Sequence, residues 1–212
     1  MERAPAAGDF IRNGPAESGV CLVLAHGAGA PMDSDFMNAM ASTIGEAGIS
    51  VVRFEFEYMA KRREDGKRRG PDRAPKLMAH YRRVIEALGP SERLVIGGKS
   101  MGGRIASMIA DETDVRGLVC LGYPFHPPGR PERLRTAHLE DLRCSTLIVQ
   151  GERDRLGSEE EVIRYSLSES IELVWLPDGD HSFKPRKRSG HTESENLRAA
   201  AANVVRFVRQ LG

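Results

Sequence analysis

Ser100 stands in the pentapeptide Gly98-Lys99-Ser100-Met101-Gly102, a G-x-S-x-G arrangement. The same residues could close a phosphate-binding loop of the form G-x-x-x-x-G-K-[ST]. The two chemistries differ in what must precede them. A phosphate cradle would need its first glycine at position 93, which is Arg93, and Leu94, Val95 and Ile96 read as strand interior. The alternative needs a strand running straight into the serine and a helix leaving it at once. It also needs small residues two before and two after, so that the strand and helix backbones can approach closely. Gly98 and Gly102 meet that need, with Gly103 as further slack. The helix start would aim its dipole and free N–H groups at the serine oxygen. A serine so placed is a candidate nucleophile. The competing role, a helix N-cap, requires no glycine on either side.

A nucleophilic serine needs a base, and the base needs an orienting carboxylate. In a parallel sheet the loops at the carboxyl ends of the strands converge on one edge, so residues just after predicted strands are the ones to inspect. The run STLIVQG is followed by Glu152 and Asp154, and IELVWLP by Asp178, Asp180 and His181. The chain order Ser100, Asp154, His181 is the one expected for such a sheet. Glu152 and Asp180 remain alternative acids, although adjacent side chains on an extended loop, such as Asp180 and His181, diverge. His26 reads as a structural histidine bonded to backbone, His80 as a surface or packing group on a helix, and His191 as solvated. His126 and His138 lie in a proline-rich loop where either could line a pocket. No two histidines have the H-x-x-x-H spacing of a metal site, and no metal or cofactor is expected.

Elements that could position these residues are visible in the hydrophobic pattern. Apolar runs at 20–27, 49–57, 93–98, 115–122, 145–151 and 171–177 have the length and composition of strands buried on both faces. Helical patterns occupy 35–47, 76–88, 102–111, 159–167 and 195–211. This alternation predicts an α/β fold over residues 1–212 as one domain. Its sheet would be mostly parallel, of about six or seven strands, with helices on both faces and right-handed crossovers. Two irregular stretches, 61–75 and 123–143, read as loops or short lids.

Composition narrows the functional classes. The 212 residues are 40% hydrophobic and 29% charged, ordinary for a globular chain. A net charge of +1 gives no overall drive toward nucleic acid or an anionic membrane. Cys21, Cys120 and Cys144 have no close spacing and read as buried thiols in a reducing compartment. The N-terminal stretch lacks the apolar core of a signal peptide, and no run has the length of a membrane span, so the expected location is cytoplasmic.

The strings LAHGAGAPMDS, VIGGKSMGGR, LIVQGERDRLG and PDGDHSF resemble the α/β-hydrolase superfamily over roughly residues 20–185. More narrowly they resemble its compact, lidless KANL3/Tex30-like branch of predicted hydrolases, with dienelactone hydrolases as more distant relatives. The resemblance implies a hydrolase fold without a large lid. It implies Ser100 as nucleophile, His181 as general base and then general acid, and Asp154 as the group that fixes the tautomer of His181. The oxyanion hole would use the N–H groups of Met101 and Ala28, with Gly29 as the alternative to Ala28. Such donors are worth about 3 kcal/mol each. Gly29, Tyr123 and Phe125 are the expected substrate-binding residues, the two aromatics either walling an acyl pocket or packing their loop. The implied activity is hydrolysis of a small soluble carboxylic ester or thioester. The alternatives are acyl transfer, or an interaction module that kept the fold without catalysis; a complete set of candidate residues favours the enzyme.

Local charge is uneven. Lys61, Arg62, Arg63, Lys67, Arg68, Arg69 and Arg73 share one stretch with only Glu64, Asp65 and Asp72, and Lys184, Arg186, Lys187 and Arg188 form a second cluster. Both follow predicted strands and so fall on the rim that carries Ser100. They would either concentrate an anionic small-molecule acyl substrate or simply stay solvated. Lys99, read as solvent-facing at the helix start, would extend this positive character.

Overall fold

The computed structural model describes residues 9–16 and 19–212. The runs that are apolar on both faces become strands of one sheet: β2 (Cys21–Ala25), β3 (Ser50–Phe54), β4 (Leu94–Lys99), β5 (Gly117–Leu121), β6 (Thr146–Gly151) and β7 (Ile171–Leu176). These six are parallel to one another. A seventh strand, β1 (Phe10–Asn13), pairs antiparallel with β3 at the edge, Phe10 opposite Phe54 and Asn13 opposite Val51. The order is β1-β3-β2-β4-β5-β6-β7.

Alternate side chains of each strand feed two cores. Leu22, Leu24, Val51, Val95, Val119 and Val149 face α1 (Asp35–Glu46) and α6 (Glu193–Leu211), which supply Met37, Met40, Ile44, Val204 and Val208. Val23, Ile96, Leu118, Cys120 and Ile148 face the other side. There α2 (Glu57–Asp65), α3 (Ala74–Leu88), α4 (Met101–Ser107) and α5 (Glu159–Val162) contribute Met59, Leu77, Tyr81, Val84, Ile105 and Val162. Each fully buried aliphatic side chain stabilises the fold by about 1.5–3 kcal/mol.

The chain leaves β2 for β3 on one side and returns to β4 on the other. The carboxyl ends of β2 and β4 therefore lie side by side with their loops diverging, and a crevice opens at that point of an α/β sheet. His26–Pro31 and Ser100 are the residues delivered there.

Several expectations need correction. The stretch 61–75 is not all loop: its first residues complete α2, which buries only Tyr58 and Met59 and ends at Gly66 in the left-handed conformation. The helix expected over 159–167 shortens to Glu159–Val162, because only Val162 of it is buried. The helix expected over 102–111 ends at Ser107, and a 3₁₀ turn at Ala110–Glu112 follows. Of the three cysteines only Cys120 is fully buried; Cys21 and Cys144 are half-buried free thiols.

Tyr81 ties the second core to the strands beneath the crevice. Its hydroxyl lies 2.9 Å from Val23 O and 2.8 Å from Gly97 O, and accepts the Gly97 N–H at 3.0 Å, in a site without solvent. Tyr81→Phe leaves those backbone groups short of a partner. The expected loss is about 1–3 kcal/mol of unfolding free energy, read as a lower urea midpoint at unchanged m-value.

Candidate active site

β4 ends in a turn that places Ser100 in an unusual backbone conformation, φ 52° and ψ −114°. Non-glycine residues rarely adopt it, and holding one there costs about 1–3 kcal/mol. Two hydrogen bonds fix it: Ser100 N–H donates to Leu121 O at 3.0 Å, and Ser100 O accepts the Arg104 N–H at 3.0 Å. The flanking glycines are steric requirements. A Cβ at Gly98 would stand 2.3 Å from Ala25 O, and one at Gly102 would stand 2.5 Å from the same oxygen and 2.7 Å from His26 O.

The structure brings Ser100, His181 and Asp154 into one hydrogen-bonded row. His181 Nε2 is 2.8 Å from Ser100 Oγ, and His181 Nδ1 is 2.7 Å from Asp154 Oδ2. With the carboxylate accepting at Nδ1, Nε2 is left to accept the serine hydroxyl. Asp154 is completely buried, and its other oxygen accepts the Leu156 N–H at 2.8 Å. The alternative acids do other work. Glu152 accepts the Asp178 N–H at 2.7 Å, and Asp180 accepts the N–H groups of Ser182 and Lys184.

The expected oxyanion segment sits beside this row. His26 is buried and held neutral, since burial pushes its pKa down. Its Nδ1 donates to Gly27 O at 2.7 Å and its Nε2 accepts the Phe56 N–H at 3.1 Å, the structural role read from sequence. Tyr58 donates to Ala28 O at 3.0 Å. These bonds turn the carbonyls of residues 27 and 28 toward α2. Among the described residues, the N–H groups of Ala28, Gly29 and Met101 donate no hydrogen bond within the protein.

Sequence reasoning missed three residues that hold the row in place. Gln150, fully buried, lies between Tyr123 and the acid, with Nε2 2.9 Å from Asp154 Oδ2 and Oε1 accepting the Tyr123 N–H at 2.7 Å. Asn196 of α6 donates to Pro177 O and Phe183 O at 3.0 and 2.8 Å, clamping the two ends of the His181 loop. Lys99 is the third. It is not solvent-facing: only 8% of it is exposed, and Nζ donates to His181 O at 2.5 Å. That ammonium also lies 5.3 and 5.9 Å from the ring centres of Phe36 and Phe183. The only sequence signal for Asn196 is a polar residue on the apolar face of α6. Lys99 carries none beyond its adjacency to Ser100.

The remaining candidates are distributed around this centre. Tyr123 and Phe125 have no exposed surface; their rings pack 4.8 Å apart in the core, so in this structure they pack the loop. His138 bonds Ser107 Oγ at 2.8 Å, and His126 is buried with Nδ1 2.9 Å from Pro127 O. His80 packs on Phe54, and His191 is exposed. Several rim cations are paired: Arg63 with Asp33 and Glu55, Arg69 with Asp65, Lys184 with Glu193, Arg186 with Asp178. Surface clefts of about 430 and 210 Å³ lie beside Arg82 and beside Met59, and none of the three residues of the row lines them. Among the described residues no helix is long and apolar enough to cross a membrane, and no three metal-ligating side chains cluster.

Comparison with known proteins agrees with this architecture. The family model described as the alpha/beta hydrolase domain matches residues 18–209. An α/β serine hydrolase without a lid from Xanthomonas campestris is similar at 23% identity, with 93% of this chain and 87% of that one covered and a TM-score of 0.69. Dienelactone hydrolase from Anabaena variabilis is similar at 21% identity, covering 95% and 90%, with a TM-score of 0.67. Est1E from Butyrivibrio proteoclasticus is similar at 15% identity, covering 97% and 98%, with a TM-score of 0.66. At these identities the likeness is one of fold.

Burial pushes the Lys99 ammonium down from 10.5 to about 8, against the opposing pull of Asp154 and Asp180. Between those two values the unfolded chain binds more protons at this position than the folded one, so stability rises with pH across that window. The unfolding free energy of the wild type, minus that of Lys99→Met, is therefore expected to grow from pH 8 to pH 10 in urea titrations. A difference that stays flat, or shrinks, contradicts the buried-ammonium assignment.

Proposed function

The chain belongs to the alpha/beta hydrolase family, and from that premise we propose that it is a serine hydrolase acting on a small soluble carboxylic ester or thioester through an acyl-enzyme on Ser100. The observation that carries this reading is the unbroken row from Asp154 through His181 to Ser100, with contacts of 2.7 and 2.8 Å. His181 Nε2 takes the hydroxyl proton as Ser100 Oγ attacks the substrate carbonyl carbon. The carbonyl oxygen becomes an oxyanion and is met by the N–H groups of Met101 and Ala28, with Gly29 the alternative to Ala28. The tetrahedral intermediate collapses, the bond to the leaving alcohol or thiol breaks, and His181 returns the proton to the leaving atom. Water, deprotonated by the same Nε2, then attacks the acyl-serine and releases the acid. Asp154 holds the Nδ1 proton throughout and stabilises the imidazolium without taking it.

Two features support small, soluble substrates. The His181 side chain is about 30% exposed, so the row opens directly to solvent. The loop after β5 packs Tyr123, Phe125, Leu139 and Leu142 into the core.

Labelling with a fluorophosphonate probe tests the assignment. The wild type is expected to label on Ser100, Ser100→Ala not at all, and His181→Ala at a strongly reduced rate. Asp154→Asn should lower kcat on a short-chain ester about ten-thousandfold while the fold survives, because His181 then rests in the wrong tautomer. Labelling that persists in Ser100→Ala removes the proposed nucleophile.

A further inference from the structure

The basic stretches at the rim carry several carboxylate partners. A different group of positive charges, beside α4, has none among the described residues. Arg104 lies on α4, its N–H bonded to Ser100 O. Its Nε is buried and has no hydrogen-bond partner. Arg135 comes from the proline-rich loop, whose path beside α4 is pinned by three contacts. Arg135 N–H donates to Phe125 O at 2.7 Å, Tyr123 Oη donates to Arg135 O at 2.9 Å, and His138 Nε2 is 2.8 Å from Ser107 Oγ. Arg135 is pushed down by burial and then by the Arg104 charge, with Arg133 adding to it. His138 is lowered by the same two causes, burial first and Arg104 second, and so stays neutral near pH 7.

Among the described residues neither Arg104 nor Arg135 forms an ion pair, and both are half-buried. Like charges gathered in a partly desolvated place without a counter-ion destabilise the fold, and such local conflicts mark sites that serve a ligand. A guanidinium presents a planar fork of donors that fits the paired oxygens of a carboxylate or phosphate. Arg104 follows Ser100 by four residues, about 6 Å of helix rise, which sets the scale of substrate that could reach both.

We propose that Arg104 and Arg135, backed by His138, form an oxyanion-recognising subsite beside Ser100 that takes a carboxylate or phosphate carried by the substrate. This rests on the hydrolase reading of Ser100 and narrows it to charged esters. It also moves the source of selectivity away from the basic stretches at 61–73 and 184–188 to two arginines on α4 and the loop after β5.

The test compares the mono-p-nitrophenyl ester of adipate with p-nitrophenyl hexanoate, which has the same chain length and no charge. The ratio of their kcat/KM values is expected to fall about tenfold or more in Arg104→Gln and in Arg135→Gln. In Arg104→Lys, which keeps the charge but loses the fork, it should fall less than in Arg104→Gln. A ratio unchanged in both glutamine variants overturns the subsite, whatever happens to the absolute rates. If the wild type turns over neither ester and Ser100 resists the fluorophosphonate, the hydrolase reading fails separately. The subsite is then read from thermal unfolding with adipate and with inorganic phosphate. A rise in Tm that Arg104→Gln abolishes supports it and identifies the anion; no arginine-dependent rise with either anion overturns it.

Discussion

The hydrogen bond between His181 Nε2 and Ser100 Oγ joins side chains 81 residues apart in sequence, and most of what is specific in this fold bears on keeping it. Neither side chain could hold that position alone. Ser100 sits in a strained conformation that survives because β2, β4 and α4 crowd around it at glycine distances. His181 lies in a loop with no regular structure, so its place must be set by side chains from elsewhere. Asn196 holds the two ends of that loop from α6, and Lys99 takes the carbonyl of His181 itself. Lys99 is the residue before Ser100. One dipeptide therefore supplies both the hydroxyl that meets the His181 ring and the ammonium that holds the His181 carbonyl.

Electrostatics divides the molecule into charges that build and charges left over. Asp154 is buried but met by Gln150, the Leu156 N–H and His181, so both its oxygens are hydrogen-bonded. Arg53, also buried, donates to Met32 O and to the side-chain oxygens of Asn38 and Asn13. At the rim, Arg63 bridges Asp33 and Glu55, tying α2 to the loop that follows β2. The exposed pair with Asp33 contributes little energy by itself, whereas the pair with Glu55 meets a buried carboxylate. Their effect here is to use up cations that would otherwise set a broad positive field around the site. Against that background Arg104 and Arg135, half-buried, form no ion pair among the described residues.

How much of this could be read in the sequence depends on how strongly local pattern constrains each part. The six parallel strands were legible because both faces are buried, so every position must be apolar or small. β1 was not, since its four residues FIRN are short, mixed and half-exposed at an edge. α2 was hidden by its own composition: EYMAKRRED buries two side chains and otherwise looks like a charged loop. The Ser100 turn was legible because close backbone approach demands glycine at fixed spacing. Asp154 and His181 were legible because strand ends are few. The narrower branch resemblance rests on the motif strings alone. Lys99, Gln150 and Asn196 were missed because a polar residue in an apolar pattern carries no mark of which backbone carbonyl or carboxylate it will meet.

The same reasoning bears on Tyr123 and Phe125, for which the sequence left a pocket wall and loop packing open. An aromatic pair at the end of a strand near a nucleophile looks like a pocket wall, yet both are needed to fill the space under the proline-rich loop. Tyr123 then uses its hydroxyl to fix the backbone of Arg135, and its N–H and carbonyl to hold Gln150, which in turn touches Asp154. A residue with no exposed surface thus connects the acid of the row to the loop that carries Arg135. Packing under that loop and the chemistry above it are coupled through one side chain. Any change in the loop's path therefore bears both on the position of Arg135 and on the carboxylate bonded to His181.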